Sequence, residues 1–382
     1  MRPPRSPVKT ALVLTGGGAR GAYQVGVLKA VRELLPDPHK NPFPILCGAS
    51  AGAINATSLA ASAENFAYGV DELVKIWAGF HAHHVYQADA AGIGLTAARW
   101  LGALMAGWIV RSAPTSLLDN TPLRTLLSGH IDFDCIGRAI ENQALHSISV
   151  TCSGYTSGKS VSFFQGRPDL EPWRRAQRVG AHVRLTVDHL MASSAIPFLF
   201  PAVKLHREYF GDGSMRQIAP ISPAIHLGAE KILVIGAGRM NETTERREHA
   251  HYPTLAQIAG HAMSSIFLDS LTVDLERLQR VNTTMRLIPP YVREEMGITM
   301  RPIELLVISP SKRVDHLAAE HAQALPWPIR TLLHGIGAMN RSGGALTSYL
   351  LFEQPFTRAL IDLGYGDAMA RRTELEAFLC LS

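Results

Sequence analysis

The sequence predicts an α/β fold organised on a parallel sheet, and three observations in its first sixty residues predict it. Residues 9–15, KTALVLT, form an apolar run without alternation, as in a strand buried on both faces. A glycine turn at 16–21 follows, and then Val27, Leu28, Val31, Leu34 and Leu35 fall on one helical stripe within 23–35. A second short apolar run, 43–47, leads into an alanine-rich helical stretch from Ala53. Strand, helix, strand, helix in that order argues a parallel α/β sheet.

The remaining elements follow in chain order. Pro36-Asp37-Pro38 ends the first helix. Residues 64–130 read as mostly helical and roof a pocket. Within them, 101–110 (LGALMAGWIV, between Arg99 and Arg111) is either a buried core helix or an interfacial helix lying on lipid. Residues 147–152 alternate as a strand, with 161–164 as hairpin partner through a turn holding Gly154 and Gly158. Residues 191–195 lead into the Pro197 and Pro201 region, and 209–213 (YFGDG) read as a glycine-bracketed turn. Residues 231–235 are a buried strand, 256–286 a long helix, 302–308 a further strand, and the rest is helical. No internal repeat or low-complexity linker divides the chain.

Composition narrows the function. The 382 residues are 47% hydrophobic and 18% charged, enough to bury a large core as one large α/β domain or two domains. The net charge of +5 is compatible with an anionic membrane surface. No Lys/Arg run is interleaved with aromatics, which argues against nucleic acid. Cys47, Cys135, Cys152 and Cys380 show no C-x-x-C spacing, so neither a disulfide framework nor a zinc site is expected and a reducing compartment fits. The apolar run at 11–14 is too short for a secretory leader. No stretch reaches the roughly 18 apolar residues of a membrane span. The expected location is cytoplasmic, with peripheral membrane contact as an option.

Three motifs carry chemistry. Gly48-Ala49-Ser50-Ala51-Gly52 reads G-x-S-x-G between a strand and a helix, the pattern that exposes a nucleophilic serine on a sharp turn. The bland alternative is a serine capping the helix. The turn Gly16-Gly17-Gly18-Ala19-Arg20-Gly21 fits an oxyanion hole, because consecutive glycines expose N–H groups. It also matches the G-x-G-x-x-G dinucleotide fingerprint, or is a structural turn. Against the dinucleotide reading, no strand-ending acid lies about 20 residues on. Asp212, between Gly211 and Gly213, is either a general base for Ser50 or an Asx-turn aspartate. The histidines at 81, 83 and 84 lack a third-ligand motif, so no metal is expected. His251, His261, His316 and His321 could complete a triad by position alone.

Taken in order, GGGARGAYQVGVL, GASAG, ASSAIPFLFPAV and DGS resemble the sequence blocks of the patatin-like phospholipases, and LLDNTPL at 117–123 is similar to a further block. The resemblance covers residues 9–240, an acyl hydrolase core. Residues 250–382 look like the C-terminal extension of a bacterial subgroup, mostly helical and packed on the core. The resemblance implies a three-layer α/β/α sandwich with a central, mostly parallel sheet. It implies a Ser50–Asp212 dyad, oxyanion donors from Gly16 to Gly21, no cofactor, and a lipid or acyl-ester substrate. The third position of the acid block departs from the common D-G-G, with Ser214 in place of glycine. Leu101, Leu104, Met105, Trp108, Phe198 and Phe200 are expected to line the acyl groove. The rival readings are a thioesterase or transacylase with the same dyad, a dinucleotide-binding oxidoreductase, and a non-catalytic lipid-interface protein.

Overall fold

A computed structural model describes residues 9–87, 116–238, 258, 261, 270–298, 300–335 and 344–380. The stretch 101–110, read as a buried core helix or an interfacial one, lies outside these residues, as do Leu101, Leu104, Met105, Trp108 and His251.

Among the described residues, ten strands form one mixed sheet: β1 (Thr10–Leu14), β2 (Ile45–Ala49), β3 (Ser147–Gly154), β4 (Ser160–Gly166), β5 (Trp173–Arg174), β6 (Arg178–His182), β7 (Val203–Leu205), β8 (Glu208–Asp212), β9 (Lys231–Ile235) and β10 (Glu304–Ile308). The order is β10-β9-β1-β2-β3-β4-β6-β5, with β8 also pairing β3 and β7 pairing β8. The half from β10 to β3 is parallel, as the βαβα reading expects. Beyond β3 the hairpin to β4 turns the direction, and β8 adds antiparallel to the end of β3.

Alternation along the central strands feeds two cores. Leu12, Leu14 and Leu46 face one side with the helices that follow the first two strands. Ala11, Val13, Ile45 and Cys47 face the other with Ile221, Ala224, Leu271 and Leu275. A sheet covered on both faces by helices is the three-layer architecture.

The helices that matter for the site are α1 (Gly21–Leu34), α2 (Ala51–Ala61), α3 (Phe66–Ala78) and α4 (Thr121–His130). Asn65 caps α3 by accepting the Tyr68 N–H, and proline in the first turn starts α4.

Two readings shift. The second strand begins at Ile45 rather than Phe43. Pro44 has no N–H to give the ladder, and its carbonyl accepts the N–H groups of His146 and Ser147 where that ladder starts. Residues 209–212 are strand, not turn, because Phe210, Gly211 and Asp212 pair with Gly154, Ser153 and Cys152. The turn begins at Gly213.

In the C-terminal region, the strand expected at 302–308 is β10, parallel to β9. Of the long helix expected at 256–286, Ser270–Leu287 is a continuous helix, while 256–269 lie outside the described residues apart from 258 and 261. Two later helices bear on the site, α5 (Gly344–Leu350) and α6 (Gln354–Ala370). Helix α6 crosses α1 at glycines. A Cβ on Gly26 would overlap the Ile361 carbonyl, and one on Gly364 would overlap that of Tyr23.

Candidate active site

Ser50 stands where β2 ends and α2 begins, at φ 53, ψ −130. A non-glycine residue held there stores about 1–3 kcal/mol, which persists only where the surroundings impose it. The surroundings do so from both sides. The Ser50 N–H donates to Ser193 Oγ at 2.9 Å, and that hydroxyl donates to the Thr151 carbonyl at 2.6 Å. The Ser50 carbonyl accepts the Ala53 and Ile54 N–H groups and so starts α2. The Ser50 hydroxyl makes no capping bond to the helix. Gly52 lies against the Leu14 carbonyl and Gly48 against that of Gly52, contacts that a side chain would block.

Asp212 reaches the same place from β8. It pairs with Cys152 of β3, whose neighbour Thr151 pairs with Ala49 of β2. One intervening strand therefore brings the carboxylate level with Ser50. Asp212 is fully buried, and its Oδ1 accepts the Ser214 N–H at 2.9 Å, closing an Asx turn. Oδ2 has no partner of regular geometry among the described residues. The Ser50 hydroxyl nevertheless lies within hydrogen-bonding influence of the carboxylate. Such contacts are often long or bent in the absence of substrate. Burial pushes the Asp212 carboxyl up to about 6, against the opposing pull of the Ser50 hydroxyl and of Ser214. Gly211 packs under Tyr155, and Gly213 lies on the Thr151 carbonyl.

The glycine turn follows β1. Gly18 sits at φ +55, and Gly18–Arg20 form a single 3-10 turn. The Arg20 and Gly21 N–H groups are already spent inside it, Arg20 on the Gly17 carbonyl at 3.1 Å and Gly21 on those of Gly18 and Ala19. A buried amide network holds the turn from behind. Gln24 Nε2 donates to the Thr15 carbonyl (2.7 Å), Asn55 Nδ2 to those of Gly21 (3.2 Å) and to Gln24 Oε1 (3.0 Å), and the Trp77 indole N–H to Asn55 Oδ1 (2.8 Å). Sequence reading missed these three residues. For two of them the signal was a polar side chain on an otherwise apolar helix face, Gln24 in AYQVG and Asn55 in AINA.

An apolar pocket opens beside Ser50, and Gly18 and Ala51 line it too. Its walls are Ile54 and Ser58 of α2; Leu73, Ile76 and Trp77 of α3; Leu123, Leu126 and Leu127 of α4; then Phe80, Ile196, Phe200 and Phe352. Phe200 thus stands where the groove was expected, but Phe198 does not. It points outward, 71% exposed, at φ 65. Phe352, from the C-terminal region, takes a place that no motif indicated.

Among the described residues no histidine hydrogen-bonds to Ser50, and His130 is the pocket-lining one, its Nδ1 engaged with the Leu126 carbonyl. His261, His316 and His321 do not line the pocket. His81 is tied to Glu353 (2.8 Å) and Gln354 (3.0 Å), and no group of three or more metal-binding side chains is found among the described residues. No helix among them is long and apolar enough to cross a membrane.

A protein named cGAMP-activated phospholipase from Pseudomonas aeruginosa is 28% identical over 217 residues, 56% of this chain and 55% of that protein. The chain thus spans about half the length of this curated relative. The crystal structure of VipD from Legionella pneumophila aligns over 94% of this chain and 67% of that one, at 15% identity and a TM-score of 0.34. The profile of the patatin-like phospholipases matches residues 12–225, more than half of the 382 residues, and the chain therefore belongs to the patatin-like phospholipase family.

Proposed function

We propose that this protein is a serine lipid acyl hydrolase that cleaves carboxylic esters through a Ser50–Asp212 dyad. The observation that carries the reading is the convergence of a strained, buried serine and a buried carboxylate at the head of an apolar pocket. Ser50 Oγ attacks the ester carbonyl while Asp212 takes its proton. The tetrahedral oxyanion accepts hydrogen bonds from the N–H groups of Gly17 and Gly18 and from Ala51 at the positive end of α2. Collapse expels the alcohol, which takes the proton from Asp212 and leaves an acyl-Ser50. Water, deprotonated by the same aspartate, releases the fatty acid and restores the serine. The acyl chain lies in the pocket along Ile54, Leu73 and Leu127.

A Ser–Asp contact is sufficient because burial lifts the Asp212 carboxyl to about 6, close enough to neutrality for proton exchange with a hydroxyl in the transition state. Peripheral contact with a lipid surface belongs to this reading, since the substrate resides there. The test is fatty-acid release from a mixed phospholipid and neutral-lipid extract by wild type, Ser50→Ala and Asp212→Asn. Each is assayed with and without cGAMP, so that a need for an activator is not mistaken for lack of activity. Release by wild type alone supports the reading, and the products identify the bond cut. Release by Ser50→Ala overturns it. Transfer of the acyl group to an added alcohol in preference to water would recast the enzyme as a transacylase.

A further inference from the structure

Arg20 belongs to the glycine turn, yet its side chain leaves the pocket. It is 4% exposed, and its Nε donates to Ser348 Oγ at 2.8 Å. The guanidinium carbon stands 4.2 Å from the centre of the Tyr349 ring. A planar guanidinium with fixed donors is aimed by its partners. Ser348 is aimed in turn, its hydroxyl donating to the Ala345 carbonyl at 2.5 Å. On the other side of the turn, Gly18 at φ +55 rests on the Tyr349 carbonyl with no room for a Cβ. Two consecutive residues of α5 therefore grip the turn at two points. The same segment continues into the pocket wall at Phe352, and Glu353 anchors it by accepting the Ala82 N–H at 3.1 Å.

We infer that α5 is the template on which the oxyanion turn is moulded, with Ser348 as a positioning residue that acts through Arg20. This rests on the reading of the turn amides as oxyanion donors. Glycines have too much backbone freedom to hold two N–H groups on one point unaided. A displacement of about 1 Å at such a site can cost about a hundredfold in rate. Arg20 itself supplies no N–H, because its own is bound to Gly17. Its contribution is to transmit the position of α5.

The experiment compares wild type, Ser348→Ala and Ser348→Thr. Three measurements are made: steady-state kinetics (kcat and KM) on a water-soluble short-chain ester, the Ki of a trifluoromethyl ketone that forms a tetrahedral adduct on serine, and amide hydrogen exchange in the peptide spanning 15–21. Ser348→Ala should lower kcat by about tenfold to a hundredfold with KM within about twofold. It should weaken the ketone by the same factor and speed exchange in the turn, while Ser348→Thr restores all three. Unchanged exchange in Ser348→Ala overturns the inference whether or not the protein is active. If Ser348→Thr does not fold, the Ser348→Ala exchange result decides alone. Faster exchange in Ser348→Ala, with a wild-type protein that cleaves no ester, would instead retain the tether and remove the hydrolase reading.

Discussion

Ala49 pairs with Thr151 and Asp212 pairs with Cys152, so Ser50 and Asp212 stand level on either side of a single strand. The candidate base is thus delivered by strand register. A slip of one residue in β8 would turn the carboxylate to the opposite face of the sheet.

Activity and stability should respond to pH in opposite directions. The Asp212 carboxyl lies at about 6 in the folded protein against 3.8 in a free side chain. The folded state therefore holds this proton more tightly than the unfolded state. Its stabilising contribution is complete below about pH 4 and is lost as pH rises through about 6. The base form needed for turnover grows over the same interval, so kcat/KM should climb to a plateau above about pH 7.

Asp212→Asn should abolish turnover and stabilise the fold near neutrality. A shift of about two units corresponds to about 3 kcal/mol at pH 7.5. Urea unfolding at pH 5 and pH 7.5 checks this, since the advantage of the Asn variant should grow with pH. An advantage independent of pH would point to hydrogen bonding rather than ionisation.

Ser50→Gly and Ser50→Ala should both be inactive but differ in stability. Glycine accepts positive φ without penalty, whereas alanine keeps the strain. Ser50→Gly should exceed Ser50→Ala by about 1 kcal/mol at this position. Equal midpoints in denaturant would show that the surroundings, not the serine backbone, bear the strain.

Ile54→Trp should shorten the acyl chain that is accepted. Ser50, Ile54 and Ser58 share one face of α2, and eight residues at about 1.5 Å each give about 12 Å of helix alongside the chain. An indole at Ile54 blocks that path beyond its first turn. Rates on butyryl esters should hold while those on lauroyl esters fall about tenfold or more. A uniform loss across chain lengths would place the acyl group elsewhere.

Trp77→Phe should destabilise the protein by about 1–3 kcal/mol, because Asn55 Oδ1 loses its buried donor. Thermal unfolding reads this directly.

What the sequence made legible was local. Ser50 and the glycine turn announce themselves within a few residues, since each requires a strand, a turn and a helix in succession. Asp212 stands out between its two glycines, but its setting reads differently in the sequence. YFGDGS has the composition of a turn, but pairing of 208–210 with β7 and of 210–212 with β3, about sixty residues earlier, makes 208–212 a strand. Gln24 and Asn55 looked like ordinary helix residues because their partners are carbonyls and an indole from other elements. Phe198 was placed in the groove by its neighbours, Ile196 and Phe200, which do line it; its own positive φ turns it outward. Ser348 and Phe352 carried no motif at all.

The contact between Arg20 and Ser348 joins residues 328 positions apart in the chain. Contacts so distant in sequence close late, because a long loop must be brought together before they repay the ordering. During synthesis Ser50, Asp212 and the whole glycine turn leave the ribosome well before α5 does. A nascent chain, or one interrupted before residue 344, carries Ser50, Asp212 and the glycine turn without the Ser348 and Tyr349 contacts. On the proposed reading, the glycine turn therefore takes its working shape only once α5 has docked.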